Sequence, residues 1–480
     1  MWRGELRRIR APYPGSMAAA RPDVADLLDV RIPTGGRVVA VSDLHLPPER
    51  SDISGRSCAL VAARLAELAG PSATALTVVL AGDIIELLAN PQATADAILR
   101  EHEDLCAALT AVVAGGGQVI YAIGNHDGDL AWDVKAADAV RELTGARLCL
   151  AADLLFPDEP GAPASGGRVR VEHGHQLDPY NCFCDPRNRL DTPLGHHIVR
   201  EVLPRIEFLG RGWLDGAHEM ADPGDFPSFV GSRLFYRKLT RHAWWLLLIP
   251  VLLLLVLRVS EILSLPTKYP DTTRWVHGAE ILGYGAVADL IVVAAIIAIV
   301  SRRAWTSISA LALAERGYGQ NHAARQRAAD LAGAGYRGFL SGHTHHPELS
   351  PCGRGFYGNT GSCTTVVEGT ATRLTMPSAY LRAQQISWVE LTDSARATPA
   401  SGGSGGSSPR ATLRAELRVA RVDLPGATRL ERFAARGRHQ FAPAPAVVGS
   451  WPGPGWPEAA ITTGRSTSDD AGEAAGPERP

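Results

Sequence analysis

This 480-residue chain predicts an α/β fold interrupted by an apolar helical hairpin, and three observations predict it. Short apolar runs recur, and each ends in aspartate, asparagine or histidine. Asp43, Asp83, Asn125 and His173 follow one another at intervals of 40, 42 and 48 residues, which is room for a strand, a crossover helix and a return strand. Two longer apolar stretches, 243–257 and 281–300, break the series.

Taken in order, residues 1–30 lack periodicity, and 1–36 read as an N-terminal arm, with Met17 as an alternative start. VVAVSDLH then runs from Val38 to Asp43 and His45, TVVLAGD runs from Thr77 to Asp83, and QVIYAIGNHD runs from Gln118 to Asn125, His126 and Asp127. The spacing of 59–68 and 95–109 predicts amphipathic helices, two of the crossovers. RVRVEHGH ends in His173 and His175, GFLSGHTHH in His343, His345 and His346, and GFYGNTGS in Asn359. QQISWVEL and LRAELRVARVDL alternate like strands, so the Gly/Ser linker 401–408 between them caps a hairpin rather than dividing domains. From 442 onward, prolines and small polar residues predict a tail that cannot order itself.

Within the central insertion, 201–337, the run 243–257 has no charge and 281–300 has only Asp289. About 20 helical residues cross the hydrocarbon of a bilayer, which the second run matches and the first reaches only with its neighbours. Arg233, Arg237, Lys238 and Arg241 precede the pair, and Arg302 and Arg303 follow it. The positive-inside rule therefore predicts a transmembrane hairpin with both flanks, and the domain they belong to, facing the cytoplasm. A pair of helices lying on the membrane is the alternative.

Composition narrows the function classes. The formal net charge is -2, which leaves no basic field to hold nucleic acid and excludes a nucleic-acid scaffold role. The seven cysteines are odd in number and scattered, and no apolar segment follows the N-terminal arginines, a pattern of reduced thiols. Strands of an open α/β sheet that end in Asp, Asn and His place those side chains around one crevice. Mixed carboxylate, amide and imidazole donors suit Mn²⁺, Fe²⁺ or Zn²⁺, and a shared aspartate can bridge two such ions about 3.5–4 Å apart, the spacing used in phosphoryl displacement.

The ordered set D-x-H, G-D, G-N-H-D, H-G-H and G-H-T-H resembles the calcineurin-like metallophosphoesterases over roughly 37–178 and 338–392. The resemblance implies a four-layered α-β-β-α sandwich, here in two parts, 37–200 and 338–441. It implies two divalent transition metal ions, Mn²⁺ foremost, with Fe²⁺ or Zn²⁺ as alternatives. Asp43, His45 and His345 would hold the first, Asn125, His173 and His343 the second, and Asp83 would bridge them. A water between the ions would become the hydroxide nucleophile, His126 would protonate the leaving oxygen, and Asp127 would orient His126. His175 and His346 would stand behind the ligands. Asn181, Arg187 and Arg189, which follow H-G-H, and Asn359 are candidate substrate contacts. The expected activity is metal-dependent hydrolysis of a phosphomonoester, phosphodiester or pyrophosphate by a membrane-anchored enzyme, on a lipid-linked or a soluble substrate. A metal-binding membrane scaffold without catalysis is the alternative.

Overall fold

The computed structural model describes residues 21–69, 76–157, 167–210, 212–220, 225–239, 248–265, 273–310, 321–370, 372–373, 376–393, 413–435 and 442–452. The Gly/Ser linker, Arg241 and the tail beyond 452 lie outside them. In chain order the strands are β1 (Leu28–Arg31), β2 (Arg37–Val41), β3 (Leu76–Leu80), β4 (Gln118–Ala122), β5 (Arg147–Cys149), β6 (Ala151–Leu155), β7 (Arg168–Glu172), β8 (Gly338–Ser341), β9 (Glu348–Cys352), β10 (Gly355–Asn359), β11 (Thr365–Thr370), β12 (Ala379–Asp393), β13 (Leu413–Asp423) and β14 (Ala446–Trp451). The helices used below are α1 (Asp52–Leu68), α2 (Ala95–Glu101), α3 (Glu103–Ala114), α4 (Val134–Thr144), α5 (Leu194–His197), α6 (Leu203–Gly210), α7 (Phe226–Arg233), α8 (Leu248–Leu263), α9 (Arg274–Glu280), α10 (Ala286–Ala310), α11 (His322–Gly333) and α12 (Arg429–Ala434).

Two mixed sheets carry the fold. One runs β14-β13-β12-β2-β3-β4-β5, with β11 paired to β12, and the other runs β1-β6-β7-β8-β10-β9. Alternation along β2 decides which layer meets which. Val38 and Ala40 enter a cluster with Val169, Val171, Leu340 and Phe356 of the second sheet. Val39 and Val41 face the opposite way, onto Val61 and Leu65 of α1 and Leu109 of α3. On the far side of the second sheet, Phe339 and Tyr357 meet Ala324, Ala328 and Leu331 of α11. The result is a mixed α/β sandwich with helices outside two sheets. Because β2 through β5 are parallel to one another, as are β7, β8 and β10, their carboxyl ends gather along one edge.

Local chemistry sets the boundaries. Ser51 and Ser54 close a capping box at the start of α1, and Gly145, at φ 69°, ends α4 in a left-handed turn. The helix expected over 95–109 breaks at His102, whose buried ring bonds the Ile98 carbonyl at 2.9 Å and Ser54 Oγ at 3.1 Å. The β12–β13 hairpin forms in antiparallel register from Ala383↔Asp423 to Asp393↔Leu413.

Three ranges expected from sequence are placed differently. Leu28–Arg31 of the arm is an edge strand on β6, with Val30 wholly buried. Within the expected tail, Ala446–Trp451 pairs with β13 because Trp451 fills the inter-sheet core. The end of the insertion, α11, belongs to the outer layer through its small apolar face. The apolar stretches are helical: α8 covers 248–263, and α9, a π-helical turn at Ile281–Gly285, and α10 continue one another. Among the described residues, one helix, Trp275–Ile296, is long and apolar enough to cross a membrane.

Candidate metal centre

Every histidine, aspartate and asparagine expected to bind metal lies just beyond the carboxyl end of β2, β3, β4, β7 or β8. Two groups of donor atoms converge there, Asp43 with His45 and His345, and Asp83 with His173 and His343; a third joins His45, His126 and Glu86. Asp43, His45, Asp83, His343 and His345 have φ between 45° and 70°, and they are the non-glycine residues with positive φ among those described. Side chains rarely tolerate that conformation, and it persists where surrounding structure imposes it, often at functional sites.

Two motif glycines have steric reasons. Gly82 has φ 92°, and a Cβ there would lie 2.4 Å from the His173 ring; a Cβ on Gly124 would lie 2.1 Å from Asp83 Oδ1. Both glycines therefore let backbone approach a donor side chain closely.

The carboxylates are held in one orientation with one oxygen left over. Asp43 Oδ2 accepts from Ser42 Oγ and from the His343 amide, the latter at 3.0 Å. Its Oδ1 has no hydrogen-bond partner and lies 3.3 Å from His345 Nε2 and 3.8 Å from His45 Nε2. Asp83 Oδ1 accepts from the His126 amide at 2.7 Å, and Oδ2 lies 3.0 Å from His173 Nε2. His173 Nδ1 sits 2.8 Å from the Ala81 carbonyl, which directs Nε2 inward. His343 Nε2 is 3.0 Å from Asp178 Oδ2. Asn125 Oδ1 is buried without a partner.

These orphaned atoms are the test of fit for metal ions. Buried acceptors without donors are costly, and Asp43 Oδ1, Asn125 Oδ1 and His173 Nε2 are chemically the donors a borderline cation takes. Electrostatics agree. Burial would raise the Asp43 and Asp83 carboxyls, yet the surrounding imidazoles, His173 foremost, hold both well below the ordinary range. Burial would lower His173, but Asp83 and Asp43 carry it up to about 9: the pocket demands positive charge. His345 is pushed down by burial despite Asp43, which favours the neutral ring a metal needs. The side chains of Asp43 and His173 are fully buried, while those of His45, His126 and His345 are 12–19% exposed, so the centre opens on the His126 side.

The structure redraws several expected roles. Asp127 does not touch His126: its Oδ2 accepts from the Ile84 amide at 2.8 Å and Tyr121 Oη at 2.6 Å, and its Oδ1 accepts from the Gly124 amide at 2.6 Å. The carboxylate beside His126 is Glu86, with Oε1 and Oε2 each 2.8 Å from His126 Nδ1 and Oε2 also 2.6 Å from His45 Nδ1. His126 is lowered by burial but raised on balance, chiefly by Glu86 and Asp83. Glu86 and Asp178 were missed from sequence. Glu86 stands three residues beyond the G-D motif, a position signal that was legible, whereas nothing local marks Asp178.

His175 is buried, its ring centroid 5.5 Å from that of His173, and burial, then His173 and His343, push it well below its ordinary value. His346 is exposed, and its carbonyl takes a bond from Asn321 at 3.1 Å. Asn181 Nδ2 donates to Asp178 Oδ2 at 2.6 Å, so it steadies the partner of His343. Arg187 is turned away, onto Asp26 and the Val24 carbonyl, and Arg189 lies over the Trp132 ring. Asn359 is wholly buried, with Nδ2 on the Gly342 carbonyl at 2.8 Å and Oδ1 on the Gly361 amide at 2.8 Å; it fixes the loop and has nothing left for substrate.

Neither known family profiles nor curated protein sequences give a match to this chain. Among solved structures, a phosphopantetheinyl hydrolase from Mycobacterium tuberculosis is 11% identical, with 69% of this chain and 91% of that one covered and a TM-score of 0.24. A single mutant of Vps29 from Entamoeba histolytica is 11% identical, with 81% and 99% covered and a TM-score of 0.20. At such scores neither likeness bears on what this chain does.

Proposed function

We propose that the chain is a metal-dependent phosphoester hydrolase held at a membrane. The observation that carries this reading is the convergence of two carboxylates, an asparagine and four histidines from five strand ends, with buried donor atoms left unpartnered. Asp43, His45 and His345 would hold one divalent ion, Asn125, His173 and His343 a second, and Asp83 would serve both. Bound there, such ions supply charge for a phosphoryl group and acidify water. The chain's own contribution is positioning and a proton. Glu86 engages His126 Nδ1, so Nε2 is the nitrogen that would deliver a proton to the leaving oxygen, and the carboxylate orients the ring and favours its protonated form.

The insertion would supply the tether. Leu252, Leu253, Val256, Leu290 and Ile291 of α8 and α10 are exposed, and Asp289 is paired with Arg258 at 2.8 and 2.9 Å, which lessens the cost of two charges among apolar side chains. The flanking arginines favour a cytoplasmic hydrolase domain.

Release of p-nitrophenolate from its phosphate monoester and bis-ester, with and without Mn²⁺, tests the reading. Turnover restored by Mn²⁺ after chelation is expected, and its preference assigns monoesterase or diesterase. Full metal loading with no turnover on either ester or on a pyrophosphate would favour the scaffold instead.

A further inference from the structure

A second apolar surface lies outside the hairpin. Leu194, Ile198 and Val202 recur every four residues along α5 and the π-helical turn Ile198–Val202 that follows it, Leu190 lies in the turn just before α5, and all four are exposed, Leu190 by 85%. A solvated helix of a soluble domain would carry polar residues at such positions. The same stretch, 187–206, has four arginines against two acidic residues, and Arg189, Arg200 and Arg205 are exposed. An exposed apolar stripe edged by arginines is the composition of a helix lying in a membrane interface.

Position says which surface it meets. On its inner side, α5 closes over the candidate metal centre: the Gly195 amide donates to the Tyr180 carbonyl at 2.8 Å, and the His196 ring packs at 5.2 Å on Phe183, which packs at 5.5 Å on His175. Leu203 and Ile206 of α6 pack on the cluster of Leu214, Phe229 and Tyr380. Phe229 belongs to α7, and only the π-helical turn Leu234–Leu239 and residues 240–247 separate α7 from the apolar helix α8. The stripe is therefore fixed, through one hydrophobic cluster, to the root of the proposed membrane tether.

We propose that Leu190, Leu194, Ile198 and Val202, with Arg200 and Arg205, form an interfacial contact that seats the metal centre against an anionic phospholipid surface. The contact is distinct from the hairpin, although its occupant rests on the reading of the chain as membrane-held. Seated this way, the apolar side chains enter the acyl boundary and the arginines meet headgroup phosphates. A phosphate at the bilayer surface then stands beside the centre without leaving the interface.

The test uses the full chain carrying Cys182→Ser, Cys184→Ser and Cys352→Ser, with single cysteines labelled by a bimane fluorophore in one of three variants: Ile198→Cys, Ala111→Cys on the outer helix layer, or Leu290→Cys in α10. Each is mixed with phosphatidylcholine–phosphatidylglycerol vesicles bearing nitroxide lipids at headgroup or mid-chain depth. Quenching of about twofold or more at position 198 by the headgroup-depth nitroxide is expected, with none at 111 and weaker quenching at 198 in phosphatidylcholine alone. Quenching at 290 with none at 198 overturns the interfacial contact and leaves the hairpin standing. Quenching at 198 with none at 290 supports the contact and overturns the spanning hairpin. No quenching at either position overturns both.

Discussion

Replacing Glu86 by glutamine removes one negative charge shared by two imidazoles while keeping the side chain's shape. In the wild type the carboxylate lies 2.6 Å from His45 Nδ1 and 2.8 Å from His126 Nδ1. A hydrogen bond to a charged group contributes about 1.5–3 kcal/mol against about 0.5–1.5 for a neutral one, and a glutamine carbonyl cannot accept from both rings as a carboxylate does. A loss of about 1–2 kcal/mol at each imidazole corresponds to roughly 5–30-fold, within the range of about 10–100-fold seen when the partner behind a metal ligand is removed. Glu86→Gln is therefore expected to weaken Mn²⁺ binding at the His45 position by about tenfold or more and to lower kcat. The pH profile adds a sign. Burial lowers His126 and Glu86 counters it, so without the charge the ring loses its proton at lower pH and the basic limb of kcat moves toward acid. Calorimetric metal titration and a pH–rate profile on p-nitrophenyl phosphate read both effects. Unchanged affinity together with an unmoved basic limb would refute the shared-carboxylate reasoning.

Other substitutions separate the roles. Asp83→Ala should abolish turnover and metal retention together, because the carboxylate proposed to serve both ions is gone; elemental analysis showing two ions per chain would exclude a bridging role. His126→Ala should keep its metals while turnover falls by about 10²–10⁴-fold, with a smaller deficit for good leaving groups, and equal losses for good and poor leaving groups would count against proton delivery. Asp127→Ala leaves the Ile84 and Gly124 amides and the Tyr121 hydroxyl buried without an acceptor; a stability loss of about 3–5 kcal/mol by urea denaturation is expected. A loss under about 1 kcal/mol would show that those donors find other partners.

The parts of the fold that sequence exposed are those in which one strand end carries both an apolar run and a polar terminus. The parallel order β2, β3, β4 and the convergence of Asp43, Asp83, Asn125, His173, His343 and His345 follow from that pattern, since side chains at successive carboxyl ends share a crevice whatever the loops between them do. What stayed hidden depends on contacts between distant residues. Asp127 follows His126 directly in sequence, yet its carboxylate turns back to the Ile84 and Gly124 amides, and the neighbour of His126 comes from the loop after β3. Asn359 reads as a polar residue at a strand end, but its amide is consumed by the loop of residues 342–344. Trp451 sits among prolines and glycines that predict disorder, and only the gap beside Phe356 between the sheets explains why the chain returns there.

Every role given to these residues depends on divalent ions held at the strand ends. Crystals of the full chain grown with Mn²⁺ and measured at the manganese edge test it most directly. Two anomalous peaks are expected, one within bonding distance of Asp43, His45 and His345, the other of Asn125, His173 and His343, with Asp83 contacting both. A lone peak among His45, Glu86 and His126, or no peak in a crystal whose ligands are intact and ordered, would contradict it.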